Sequence, residues 1–273
     1  QGIKRAHILF AEIPDFSLEM QEKIINILKI SESIIKKRRY QIEELDQFAI
    51  SVFFNMFGDP VSNKNVFPKL TIKEIAKRDK NAIKSGPFGS ALKKEFYVDK
   101  GYKIYGQEQV IRDDFEYGNY YINEEKYKEL EKYKISSGDI LISLVGTFGK
   151  ISIVPECFEP GIINPRLMKV SLDTDVVLPE FLKSLLTIPS VIAQIKRLSH
   201  GGTMGIINTK IMKDFSVIVP PLKMQEKYIN NLKIISEKKS LIEESLTQME
   251  LNYHSILQRA YRNQLFTNPV LNL

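Results

Sequence analysis

The residues whose types could do chemistry in this chain are mostly cations and small polar groups set in glycine-rich runs. Lys84 precedes Ser85-Gly86-Pro87-Phe88-Gly89-Ser90, with Lys93 and Lys94 just beyond. Lys196 and Arg197 precede Ser199-His200-Gly201-Gly202-Thr203-Met204-Gly205, and Lys210 follows. A third run, Gly146-Thr147-Phe148-Gly149-Lys150, joins two strand-like segments. Flexible backbone, hydroxyl donors and nearby ammonium or guanidinium groups suit close approach to a phosphate backbone. Any one of these loops, taken alone, reads equally well as a surface turn.

The placement of charge sharpens this. The chain has 273 residues, a formal net charge of +6 and a pI near 9.1. A basic balance by itself is weak evidence for a nucleic-acid partner. Between residues 180 and 214, however, there is no carboxylate, while Lys183, Lys196, Arg197, Lys210 and Lys213 lie there with His200. Between residues 79 and 95 the acid-free pattern recurs with Lys80, Lys84, Lys93 and Lys94.

Catalytic signatures are missing. The Gly146–Lys150 run resembles a phosphate loop only superficially, because its glycines are too close and no Ser or Thr follows the lysine. His7, His200 and His254 are too scattered for a metal site, and the single cysteine, Cys157, adds little. No nucleophile elbow or dinucleotide fingerprint occurs. No intrinsic catalysis, no metal and no cofactor are therefore expected in this chain. One cysteine, no signal peptide and no apolar run near the ~18 residues of a membrane helix lead us to expect a cytoplasmic protein.

The elements that must position these residues are organised by a long-range repeat. Met20-Gln21-Glu22-Lys23 recurs as Met224-Gln225-Glu226-Lys227, and Ile25, Asn26, Leu28, Lys29 and Ile30 match Ile229, Asn230, Leu232, Lys233 and Ile234 at the same offset. Both copies follow prolines and read as long helices. Steps of four and three give Ile24, Leu28, Ser31, Ile35, Arg38, Ile42, Leu45, Ala49, Val52 and Met56 in the first. The second gives Tyr228, Leu232, Ile235, Lys239, Ile242, Leu246, Met249, Tyr253, Ile256 and Ala260. A period close to 3.5 is a coiled-coil seam. The spacing predicts two helices of about 35 to 40 residues, each about 55 Å long, pairing antiparallel. Gly58-Asp59-Pro60 would stop the first. Simple core packing or oligomerisation is the plainer account of such a seam.

Between the helices the pattern changes to short β-branched runs at 139–145, 150–154, 166–172 and 215–219, punctuated by glycines. One helix is expected from Pro179 past Pro189 to about Leu198. The fold class predicted is α+β: one mixed, mostly β domain bracketed by two long helices. The boundaries expected are a stub over 1–14, a helix over 15–58, the β-rich domain over 59–219, a second helix over 220–266 and a tail over 267–273.

At these residues the chain resembles the specificity subunits of type I restriction-modification systems. Val219-Pro220-Pro221-Leu222-Lys223-Met224-Gln225-Glu226-Lys227 is similar to the start of that family's spacer helix, and Phe57-Gly58-Asp59-Pro60 to the exit from its central helix. Gly138-Asp139-Ile140-Leu141-Ile142-Ser143, Ile163-Asn164-Pro165-Arg166-Leu167 and the loop over 199–208 resemble segments of its target recognition domain. The resemblance implies double-stranded DNA as ligand, with methylation (M) and restriction (R) subunits as partners. It also implies that each recognition domain reads one half of a split target. Only one such domain is present here, so the chain looks like a second half or a truncated form, and self-pairing through the helices is a further expectation.

On that reading the lysines and arginines named above would contact phosphates. Gln107, Gln109, Arg112 and Arg166, with the loop holding Ser199, His200 and Thr203, would address bases, because amide and guanidinium groups can make paired hydrogen bonds to base edges. Helices of about 55 Å would separate recognition domains by more than one ~34 Å turn of DNA. Two other classes stay open: a protein-interaction scaffold built on the helices, and a nucleic-acid enzyme with an unrecognised site.

Overall fold

The computed structural model describes residues 15–144, 149–199 and 209–266. The first long helix, α1, is Leu18–Phe57, and the last, α7, is Leu222–Tyr261. Every one of the twenty seam positions is buried or half-buried, whereas most neighbouring positions on each helix face solvent. The polar seam residues are each provided for. Ser31 returns its hydroxyl to the Ile27 carbonyl at 2.9 Å, Arg38 bonds Gln41 at 3.0 Å, and Lys239 reaches Asp46 at 2.6 Å.

The chain divides into two compact units, residues 1–49 with 232–273, and residues 50–231. In the first unit the helices run antiparallel: Glu32 faces Tyr253, Arg39 faces Glu250 and Asp46 faces Lys239. These are exposed pairs that water screens, so they add little; the apolar seam around Ile35 and Ile235 carries the pairing.

The second unit holds the sheets. Strands are β1 (Lys69–Thr71), β2 (Ile83–Ser85), β3 (Tyr97–Val98), β4 (Tyr102–Tyr105), β5 (Tyr121–Ile122), β6 (Ile140–Ser143), β7 (Ile151–Ile153), β8 (Gly161–Ile163), β9 (Leu167–Val170) and β10 (Ser216–Ile218). Short helices are α2 (Gln107–Arg112), α3 (Glu124–Glu129), α4 (Pro179–Thr187), α5 (Pro189–Ser199) and α6 (Thr209–Asp214). One antiparallel sheet has the order β2-β9-β6-β7, and a mixed sheet has the order β3-β5-β4-β8, in which β4 and β8 are parallel. β1 and β10 form a separate antiparallel pair. Strands β6, β8 and β9 are buried at every position, so β6 and β8 read as near-continuous apolar runs and not as alternating ones, while β9 carries the buried Lys169.

The single helix expected over 179–198 is two helices. Pro189 forces Ile188 into extended backbone (φ −66°, ψ 132°), which ends α4 and starts α5 afresh. Within this unit the end of α1 and the start of α7 are joined by an aromatic cluster. Phe53 and Phe57 pack on Tyr228 with ring centroids 5.4 and 5.5 Å apart, and on Phe181 of α4 at 5.9 and 5.2 Å.

The repeat has a structural counterpart. Gln21 donates its side-chain amide to the Phe16 carbonyl at 2.9 Å, and Gln225 donates to Pro220 at 2.8 Å, so both glutamines reach back five residues over a helix start. Gln225 is buried and also holds the 176–178 segment, donating to Val176 O and accepting from Leu178 N. Gln21 is exposed.

Candidate nucleic-acid interface

Several of the residues singled out by type lie at one edge of the second unit, where β2, β4, β6 and β8 end and β7 and β9 begin. Asn164, in the turn between β8 and β9, is the pivot. Its amide N–H donates to Tyr105 O at 2.8 Å, its side-chain oxygen accepts from Arg166 N at 2.9 Å, and its carbonyl accepts from Leu167 N at 3.2 Å. Two glycines press on it: a Cβ on Gly86 would lie 1.9 Å from Asn164 O, and one on Gly106 would lie 2.7 Å from Asn164 Nδ2. Only residues without a side chain permit this approach. Asn-Pro is a turn signal in sequence, yet nothing local reveals that three chain segments converge on it.

Around this pivot the hydrogen bonds continue outward. Gly86 N donates to Leu167 O at 3.0 Å, and the Ser85 hydroxyl bonds that of Thr209 at the start of α6, which places Lys210 beside the turn. Gln107 donates to Ser143 Oγ at 2.6 Å, Ser143 N donates to Lys150 O at 3.1 Å, and Leu144 N donates to Arg166 O at 2.9 Å. Ser85, Gln107, Lys150, Arg166 and Lys210 therefore belong to one connected edge. Lys150, Arg166 and Lys210 are exposed. Phe88, at the tip of the turn that Gly86 anchors, is 71% exposed. Phe88, Asn164, Ser143 and Thr209 are members that residue type alone did not single out.

Other residues stand apart or take different roles. Lys84 lies on β2 opposite Lys169 and faces a cavity on the sheet, away from Ser85. Lys93 and Lys94 are exposed beyond the turn, Lys93 with Glu95 at 3.4 Å. The Arg112 guanidinium lies 4.2 Å over the Tyr117 ring at the far end of α2 from Gln107. Lys196 and Arg197 occupy the last turn of α5. Ile192, one turn before Lys196, flanks Gly149, where a Cβ would sit 3.5 Å from Ile192 Cδ1. The side chain of Ser199, and all of His200 and Thr203, lie outside the described residues.

Gln109 is a correction. It is 3% exposed, accepts from Gly106 N at 2.9 Å and donates to Tyr117 O at 2.9 Å. Both ends of its amide are committed inside the fold, so it ties down the start of α2 and the 113–118 loop instead of facing a ligand.

A buried polar group braces the mixed sheet behind the edge. The Lys103 ammonium, with no exposed surface, bonds Glu159 at 2.7 Å and Glu116 O at 2.9 Å, while Tyr105 donates to Glu159 O at 2.7 Å. Burial, with Glu159 alongside, pushes the Tyr105 phenol well above its usual range and keeps it a neutral donor. Among the described residues no group of His, Cys, Asp and Glu could hold a metal ion, and no helix is long and apolar enough to cross a membrane.

Residues 67–251 match the family model described as type I restriction modification DNA specificity domain. The type I restriction enzyme EcoBI specificity subunit of Escherichia coli is 24% identical over 148 residues, covering 53% of this chain and 31% of that protein. In fold, the chain is similar to the HsdS subunit from Thermoanaerobacter tengcongensis, with a TM-score of 0.55 and 15% identity over 93% of this chain and 61% of that one. A type I restriction-modification S subunit from M. genitalium gives a TM-score of 0.54 and 15% identity, over 90% of this chain and 61% of that one. The chain thus spans less than two thirds of each of these relatives.

Proposed function

The chain belongs to the family of type I restriction modification DNA specificity domains, and from that premise we propose that it reads one half of a bipartite DNA target for a restriction-modification complex. The observation that carries this reading is the convergence of Ser85, Gln107, Lys150, Arg166 and Lys210 on the edge built around Asn164. Lys150, Arg166 and Lys210 supply cations for phosphates, and the Gln107 amide and Arg166 guanidinium are groups able to discriminate base edges. The chain specifies and leaves methylation and cleavage to M and R subunits, which it recruits.

The paired helices supply the spacing between recognition domains. The exposed Gln21, which repeats the geometry of the buried Gln225 at a helix start, is the natural seat for the equivalent segment of another recognition domain. Self-pairing of two copies would provide one.

The test is selection from randomised duplex DNA, with the cognate methylation subunit present, at two salt concentrations. Enrichment of a short motif, with affinity falling steeply as salt rises, is the expected result. Salt-sensitive binding without enrichment would mean that this half does not specify a site alone. Absence of binding at low salt would overturn the reading and leave the helices as a protein-interaction scaffold.

A further inference from the structure

Behind β2, on the face of the sheet away from Ser85, lies a cavity of about 670 Å³ between β2, β9 and the segment over 131–136. That is within the ~300–1,000 Å³ of ligand-sized sites. Six lysines line it, against three carboxylates, and the carboxylates are largely spent on the fold. Glu131 pairs with Lys134 at 2.8 Å. Asp139 accepts from Ser136 N at 2.8 Å and Ser171 Oγ at 2.5 Å, with Lys169 at 3.9 Å. Asp79 accepts from Asn81 N at 2.6 Å. Among the described residues Lys77, Lys80, Lys84 and Lys132 make no ion pair.

The Lys169 ammonium has partners of its own, the Lys134 carbonyl at 2.5 Å and Asp139 at 3.9 Å, but its cross-strand neighbour is a second cation. Lys84 and Lys169 are directly opposite each other on adjacent antiparallel strands, a position where like charges repel. Lys169 is only 5% exposed, so water screens it poorly. A second cavity of about 430 Å³ shares Lys77 and Lys80 with the first and adds Lys73, Arg78 and Lys213. The only carboxylates on its wall are the shared Asp79 and Glu74, and Glu74 is held by the Thr71 N–H and hydroxyl, each at 2.7 Å. Two adjoining cavities thus form one cationic trough.

We infer that this trough is a phosphate-binding site, separate from the base-reading edge, that takes a run of several linked phosphates. A polyanion supplies the missing counter-charge to Lys77, Lys80, Lys84 and Lys132 at once, and relieves the repulsion between Lys84 and Lys169. Linked phosphates come either from the backbone of DNA flanking the target, a source that rests on the proposed function, or from a free polyphosphate such as a nucleotide tail, which does not.

Wild-type chain and the triple variant Lys77→Gln/Lys80→Gln/Lys132→Gln separate these sources. All three side chains are exposed, so the fold is expected to survive. Titration with inorganic tripolyphosphate, followed by calorimetry, should show binding by the wild type and at least tenfold weaker binding by the variant. Long duplex is then titrated across salt. Loss of three phosphate contacts lowers the slope of log affinity against log salt by about 2–3, an affinity drop about 40-fold smaller between ~50 and ~200 mM. A lowered slope assigns the trough to flanking DNA, and an unchanged slope with lost tripolyphosphate binding assigns it to free polyphosphate. Equal tripolyphosphate binding by both proteins, or none by either, together with an unchanged slope, overturns the inference. A wild type that binds tripolyphosphate but no DNA would sink the proposed function and leave the trough standing.

Discussion

The carbonyl oxygen of Asn164 lies where a Cβ on Gly86 would meet it at 1.9 Å, so a methyl group cannot be added there without moving backbone. This contact joins the 85–90 turn to the β8–β9 turn and sets where Ser85 and Arg166 stand relative to each other. Gly86→Ala should cost about 1–3 kcal/mol and displace both turns. Gly138→Ala is the control, since Gly138 has a positive φ of 78° and nothing within 4 Å. It should cost about 1–2 kcal/mol from backbone strain alone. Urea denaturation measures both, and only Gly86→Ala should abolish motif selection by the folded protein.

Gln107 and Gln109 are two residues apart and should behave oppositely. Gln109→Ala leaves the half-buried N–H of Gly106 and the Tyr117 carbonyl without their partner and empties a buried side-chain site, at about 1–3 kcal/mol of stability. Where it still folds, its preferred DNA motif should be unchanged. Gln107→Ala should leave stability within about 1 kcal/mol, and should relax selection at one base pair by about 1–3 kcal/mol. Denaturation midpoints and motif selection on the same two variants decide this. A Gln109→Ala protein with native stability and an altered motif would restore Gln109 as a base reader.

The glutamines of the repeat provide a similar contrast. Gln225→Ala removes three hydrogen bonds from a fully buried amide and should cost about 2–3 kcal/mol. Gln21→Ala, at the exposed copy, should stay within about 0.5 kcal/mol. Equal losses in the isolated chain would mean that Gln21 is already covered in solution.

Lys169 predicts a pH dependence. Burial pushes its ammonium below the ordinary lysine range; Asp139 and Asp79 oppose this, and Lys134 and Lys84 reinforce it. A lysine with a lower pKa folded than unfolded binds fewer protons in the native state, so stability rises with pH from the folded value up to the ordinary 10.5. Lys169→Met should flatten that rise in a denaturation series taken through the pH range just below 10.5. An unchanged slope would show that the lysine is charged equally easily folded and unfolded.

The two long helices and their seam were legible in the sequence because a helix is made by contacts three and four residues apart. A heptad of apolar residues from Ile24 to Met56, or from Tyr228 to Ala260, writes its own burial, and Ser31, Arg38 and Lys239 stand out within it as polar exceptions. The strands β6, β7, β9 and β10 were legible for the same local reason, within a residue or two at each end. Pro189 is visible too, but it splits the one expected helix in two through its steric effect on the Ile188 backbone, which the apolar pattern does not show.

The site was legible only as a set of residue types. That Ser85, Gln107, Lys150, Arg166 and Lys210 share an edge follows from strand pairings between segments far apart in the chain, such as β4 beside β8 and β2 beside β9. No local pattern encodes those registers. The same non-local packing turned Gln109 inward, made Asn164 a pivot and set Lys84 against Lys169. Propensity and periodicity are properties of neighbouring residues, and they determined the elements here. Which side chains meet is decided by backbone hydrogen bonds and core packing between elements, and those exist only once the chain has folded.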